Sequence, residues 1–127
     1  MPYCILEYTA NVIDQFDPKI LLGDLHTLII NSGLFELNKI KSRIVKHENF
    51  LVGDGDPKNS FIYLQIRILD GRDEEVRKLL SSESLKILER TFPKTLESLN
   101  CSMTVEVCEI DRATHARSTM KDKALKS

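Results

Sequence analysis

The sequence predicts an α+β fold in which two successive β-α-β units, over about residues 2–52 and 60–110, build one four-stranded mixed sheet with both helices on one face. Three observations lead there. The order strand, helix, strand occurs twice, each time within about 50 residues. The strand segments are short β-prone runs, whereas the segments between them place apolar residues at the helical period. The preference for right-handed crossovers favours parallel pairing within each unit and puts the helices on one side of the sheet. A ferredoxin-like domain has the same element string, and pattern alone does not separate the two.

The elements follow in order. Tyr3 to Tyr8 is apolar and β-prone and forms the first strand. Asp17-Pro18 opens a helix, because aspartate caps the first free N–H groups and proline suits the first turn. Leu21, Leu22, Leu25, Leu28 and Ile29 give that helix a buried stripe, and Asn31-Ser32-Gly33 stops it with a glycine suited to a left-handed cap. A second strand is expected from Leu37 to about Leu51, followed by a turn at Gly53 to Asn59. Ile62, Leu64, Ile66 and Ile68 alternate with Phe61, Tyr63, Gln65 and Arg67, so the third strand has one wholly aliphatic face. Asp70 to Asp73 turns the chain, and Asp73, Glu74 and Glu75 put negative charge at the start of a second helix. Its stripe is Val76, Leu79, Leu80, Ile87, Leu88 and Phe92, and Pro93 kinks or ends it. Met103 to Ile110 is the fourth strand, and Asp111 to Ser127 is a polar tail, an appendage to the domain or partly disordered.

Length and composition limit the function classes. A chain of 127 residues holds one compact domain, and 42% hydrophobic with 29% charged residues describes a soluble globular protein. Eighteen basic and 19 acidic side chains give a net charge of −1, which offers no basic surface for nucleic acid. No run approaches the roughly 18–20 apolar residues of a membrane span, and the start of the chain lacks the basic region of a signal peptide. Cys4, Cys101 and Cys108 are too few and too scattered for a disulfide framework and read as reduced thiols. The expected location is the cytoplasm.

Several familiar constellations are missing. His26, His47 and His115 have no metal-ligand spacing, so neither a metal nor another cofactor is expected. Gly53-Asp54-Gly55 lacks the lysine and hydroxyl residue of a phosphate loop, and a Cys–His pair cannot be argued from spacing. Pro2 remains. It is small enough for Met1 to be removed, which would expose a secondary amine. An α-amino group titrates near roughly 7.7–8.0, and an apolar or cationic setting lowers that value. A neutral amine near pH 7 is a suitable base for a proton next to a carbonyl. A strand that starts immediately after Pro2 would hold the amine within the fold.

Pro2 opening the first strand, Ile5, Glu7, Asn11, Ser32-Gly33-Leu34-Phe35, Ile40-Lys41-Ser42-Arg43, Asp54-Gly55, and Gly71-Arg72 with Glu75 and Arg77 resemble the 5-carboxymethyl-2-hydroxymuconate isomerase family. That family belongs to the tautomerase superfamily, with 4-oxalocrotonate tautomerase and macrophage migration inhibitory factor. The resemblance runs from Pro2 to about Ile110. It implies a tautomerase-like, trimer-forming fold and a cofactor-free 1,3-proton shift on a small unsaturated 2-hydroxy or 2-oxo acid such as 5-carboxymethyl-2-hydroxymuconate, in aromatic-compound catabolism. Pro2 would be the catalytic base and acid, and Arg43, Arg72 and Lys41 would bind the substrate carboxylates. Arg72 also precedes a helix start, where an anion is favoured. The chain departs from the pattern at Lys41, where the family carries arginine, and at Pro93, where an uninterrupted helix is expected. The alternative is a catalytically silent trimeric binding protein on the same scaffold, which retention of Met1 would favour because it blocks the amine.

Overall fold

The computed structural model describes residues 1–33 and 35–119. The four strands are β1 (Tyr3–Thr9), β2 (Lys41–His47), β3 (Asn59–Leu69) and β4 (Asn100–Ile110). The helices are α1 (Pro18–Asn31), α2 (Glu74–Thr91) and the short α3 (Pro93–Ser98). The sheet order is β2-β1-β3-β4. β1 pairs parallel with β2, β3 pairs parallel with β4, and the central β1–β3 pair is antiparallel. Each helical crossover thus joins neighbouring parallel strands. A ferredoxin-like sheet would instead have a strand inserted between them, so the topology separates the two readings.

Alternation decides which face is covered. Cys4 and Leu6 of β1 and Ile62, Leu64, Ile66 and Ile68 of β3 are fully buried and meet Leu21, Leu25 and Ile29 of α1 and Leu80, Leu88 and Phe92 of α2. The opposite parity, including Tyr3, Ile5, Arg43, Arg67 and Gln65, lies on the other face, with Tyr3 registered against Lys41 and Arg67. Local chemistry fixes the ends of α1. Asp17 accepts a hydrogen bond from Lys19 N at 2.9 Å, and Gly33 takes φ of 79° just past the C-terminus.

Two expectations need correction. β2 covers only Lys41–His47, because Leu37–Lys39 forms a 3-10 turn and Phe50 and Leu51 lie in the following loop with their side chains exposed. Leu79 is not in the buried stripe of α2 but 49% exposed. Pro93 interrupts the helix as expected: α2 ends at Thr91, and Pro93 becomes the first residue of α3.

The restart at Pro93 is stabilised from far along the chain. Asp14, in the β1–α1 loop, accepts hydrogen bonds from Thr95 N at 2.7 Å, Thr95 Oγ1 at 2.7 Å and Lys94 N at 3.0 Å. It therefore caps α3 in place of a residue of the helix itself. Thr95 is fully buried and its hydroxyl oxygen accepts from Ile13 N at 3.0 Å. Burial alone would raise the Asp14 carboxyl, but the hydrogen bonds from Thr95 and Lys94 outweigh it and hold the group below its ordinary value. Asp14→Ala is expected to cost about 1–3 kcal/mol, the range for stranding buried donors, as read by urea denaturation. Because the folded value is depressed, this stabilisation is present above the ordinary carboxylate range and lost as pH falls through the lowered value. The gap between wild type and variant should therefore narrow on acidification.

Candidate active site

The N-terminus is built into the sheet rather than left beside it. Pro2 is buried, and its carbonyl accepts a hydrogen bond from Lys41 N at 3.0 Å, extending the β1–β2 ladder back to the chain's second residue. The Met1 amine donates to Lys39 O at 3.1 Å. Met1 lines a cavity of about 480 Å³ together with Phe35, Glu36, Lys39, Leu69, Arg72, His115 and Arg117. Burial, followed by the charges of Lys41, Arg117 and Lys39, holds that amine below its ordinary value. Both causes act by disfavouring a cation there.

Arg72 reaches this cavity from the turn after β3, where Gly71 adopts φ of 100°. Its guanidinium carbon lies 5.0 Å from the Phe35 ring centroid, within cation–π reach. Arg72 O accepts from Arg77 Nε at 3.4 Å, and Arg77 Nη1 lies 3.5 Å from Glu109 Oε1, which ties the turn to β4. The helix end beyond Arg72 already holds Asp73, Glu74 and Glu75, so attraction of an anion rests on the guanidinium and not on the helix dipole.

Arg43 and Lys41 are placed elsewhere. Arg43 lines a second cavity of about 360 Å³ with Tyr3, Ile5, Arg67, Ile110 and His115. His115 lines both cavities, so they are neighbours. Lys41 lines neither; its amine lies 5.4 Å from the Tyr3 ring centroid and acts on the N-terminus through charge. Sequence reasoning did not find Lys39, Arg67, His115 or Arg117 as part of a site. Lys39 was hidden by the overlong second strand. The tail expected over 111–127 lies in part outside the described residues, but through Thr119 it is described, and it carries His115 and Arg117 back to the N-terminus.

Other reactive groups are held inert. Burial pushes the Cys4 thiol up to about 12, and the hydrogen bond with Glu106 is the main reason Tyr63 sits at about 12. His47 Nε2 meets Glu7 Oε1 at 2.9 Å on the open sheet face, away from both cavities. Among the described residues, no group of three or more His, Cys, Asp or Glu could hold a metal ion, and no helix is long and apolar enough to cross a membrane.

Comparison with known proteins agrees with this architecture. The model of the 5-carboxymethyl-2-hydroxymuconate isomerase family matches residues 2–124. The 5-carboxymethyl-2-hydroxymuconate Delta-isomerase of Escherichia coli is 23% identical over 110 residues, covering 87% of each chain. The crystal structure of a 5-carboxymethyl-2-hydroxymuconate isomerase from Deinococcus radiodurans R1 superposes with a TM-score of 0.83 at 22% identity, over 99% of this chain and 95% of that one. A structure described as "Q0 fused 4-OT wild type symmetric trimer" superposes with a TM-score of 0.71 at 11% identity, over 92% of each chain.

Proposed function

The chain belongs to the 5-carboxymethyl-2-hydroxymuconate isomerase family, a family of isomerases, and from that premise we propose that it catalyses a cofactor-free 1,3-proton shift with Pro2 as base and acid. The substrate is a small unsaturated 2-hydroxy or 2-oxo carboxylic acid, such as 5-carboxymethyl-2-hydroxymuconate. One observation carries the reading: a buried proline immediately precedes β1, and Met1 next to it lines a cavity together with Arg72.

Removal of Met1 leaves a secondary amine at Pro2. The neutral nitrogen takes the proton of the 2-hydroxyl group, the O–H bond breaks and the C2–O bond becomes a carbonyl. The electron pair of the neighbouring C=C bond moves to C3, which takes the proton back from the prolinium nitrogen. Protons and electrons balance, and no oxidant enters. Arg72 holds a substrate carboxylate and, with Lys39, steadies the negative charge that develops on the oxygen. Arg43 and Lys41 supply further positive charge from β2. Fused 4-oxalocrotonate tautomerase relatives described as trimers support a homotrimer here.

The test is an assay of enol-to-keto conversion with 2-hydroxymuconate-type acids, after intact mass has established that Met1 is gone. Lys41 and Lys39, whose charges lower the Met1 amine, flank the start of β1, so a Pro2 amine is expected to meet the same cationic surroundings. A base works unprotonated, so a lowered value moves the rising limb of kcat/KM to lower pH. The limb is expected below the ordinary amine range of about 7.7–8.0. No turnover by the mature protein would overturn the reading. The silent binding protein is favoured by one feature: Met1, if kept, forms part of the cavity wall and makes the Pro2 nitrogen an amide.

A further inference from the structure

Lys41 holds a place in the fold that substrate binding does not explain. It is the first residue of β2, and its backbone N donates to Pro2 O at 3.0 Å, which fixes its main chain one ladder step from Pro2. Its side chain shares a sheet face with Tyr3, its partner in register, and the ammonium lies 5.4 Å from the Tyr3 ring centroid. That ring seats the cation beside the start of β1. The cavity that holds Arg72 is nevertheless lined without Lys41, and so is the one that holds Arg43. A cation in that position has no wall from which to grip a bound acid, yet its charge bears on the amine.

Other charged and titratable groups surround the N-terminus. Glu36 and Lys39, at the 3-10 turn before β2, share the cavity with Met1, as do Arg72 from the β3–α2 turn and His115 and Arg117 from the segment after β4. Tyr3 and Arg67 stand beside it on the open sheet face. Lys39 shares its charge with Glu36, 3.5 Å away, whereas the aromatic ring beside Lys41 orients a cation without cancelling it. For the Met1 amine, burial is the first cause of the lowered value and Lys41 the first of the charges, ahead of Arg117 and Lys39. Burial belongs to the fold as a whole, but this charge belongs to one side chain and can be removed.

We propose that Lys41 is a positioning residue for proton transfer, which disfavours the protonated form of the Pro2 amine through charge alone and makes no contact with the substrate. The proposal rests on the isomerase reading for its effect on rate but not for its effect on the amine, which can be titrated without turnover. Lys41 is exposed on an edge strand, so its replacement leaves the core intact.

The experiment uses the full chain without Met1, grown with isotope-labelled proline. Of the four prolines, only Pro2 then has a nitrogen that takes up a proton. Its resonance is followed against pH by NMR in wild type, Lys41→Gln and Lys41→Arg, and kcat/KM of each is measured on an enol acid. In Lys41→Gln the midpoint is expected at higher pH, and kcat/KM on the acid limb falls about threefold, while KM on the alkaline plateau is unchanged. Lys41→Arg keeps the charge and retains the wild-type midpoint. The gap between wild type and Lys41→Gln closes as salt is raised to about 1 M, where the Debye length is about 3 Å. A midpoint unmoved in Lys41→Gln, or a gap that persists in salt, overturns the proposal. So does a plateau KM that rises, which would put Lys41 on the substrate. A midpoint that moves without any turnover by wild type overturns the isomerase reading and leaves the effect of Lys41 on the amine standing. Turnover with an unmoved midpoint does the reverse.

Discussion

Replacing Pro2 by alanine is expected to lower kcat by about 10²-fold to 10⁴-fold, the range supplied by a positioned acid–base group, while KM changes little. The variant keeps an α-amine, so a residual rate remains. What it loses is the ring that fixes the nitrogen against β1. A primary amine on a rotatable bond points in several directions and is better solvated, so less of it is neutral and aimed. A second form of the protein makes the comparison sharper. When Met1 is retained, the Pro2 nitrogen becomes an amide with no basic lone pair, and Met1 forms part of the cavity wall with its amine donating to Lys39 O. Turnover by that form should be at background, although the sheet and core are unaltered. Chains of both forms, matched for urea stability, would be assayed on the same enol acid. Full activity with Met1 in place would remove Pro2 from the chemistry.

The same residues explain which parts of this arrangement were legible in the sequence. Asp17-Pro18 and Gly33 are local signals whose geometry is decided within one turn of helix, and α1 runs between them. The aliphatic face of β3 was legible because strict alternation over Ile62 to Ile68 has only one burial solution once two helices cover the sheet. That a strand begins directly after Pro2 was legible in the β-prone run from Tyr3, whereas its chemical role rests on the resemblance. Contacts between distant segments were not. Nothing near Pro93 reveals that Asp14, about 80 residues earlier, caps the helix that starts there. Nothing in the tail announces that Arg112 is fastened to Asp70, so the basic residues beyond it read as solvated surface. Leu37 failed for the opposite reason. Its local pattern suits a strand, but β1 offers partners only from Lys41 onward, and the preceding residues close a 3-10 turn. On the substrate side, Arg43 and Arg72 share a basic character in sequence yet line different cavities. Register, not composition, separates them.

That separation makes Arg72 the cation whose removal should matter most. Arg72→Ala is expected to lower kcat/KM by about 10-fold to 100-fold, the effect of losing a charge-assisted hydrogen-bonded pair with a carboxylate. The guanidinium lies 5.0 Å from the Phe35 ring centroid, and the Arg72 backbone is rooted in a turn tied to β4 through Arg77 and Glu109, which restricts the side chain before substrate arrives. Order of this kind is entropy already spent, and lysine does not reproduce it, because an ammonium neither stacks as a plane nor grips both carboxylate oxygens. Arg72→Lys should therefore recover only part of the loss, with KM moving more than kcat if the residue mainly binds, and kcat falling as well if it also steadies charge on the reacting oxygen. Arg43→Ala, at the second cavity, should have the smaller effect on the same substrate. Equal kinetics for Arg72→Ala and wild type would return Arg72 to the surface charges and move the substrate toward Arg43 and Arg67.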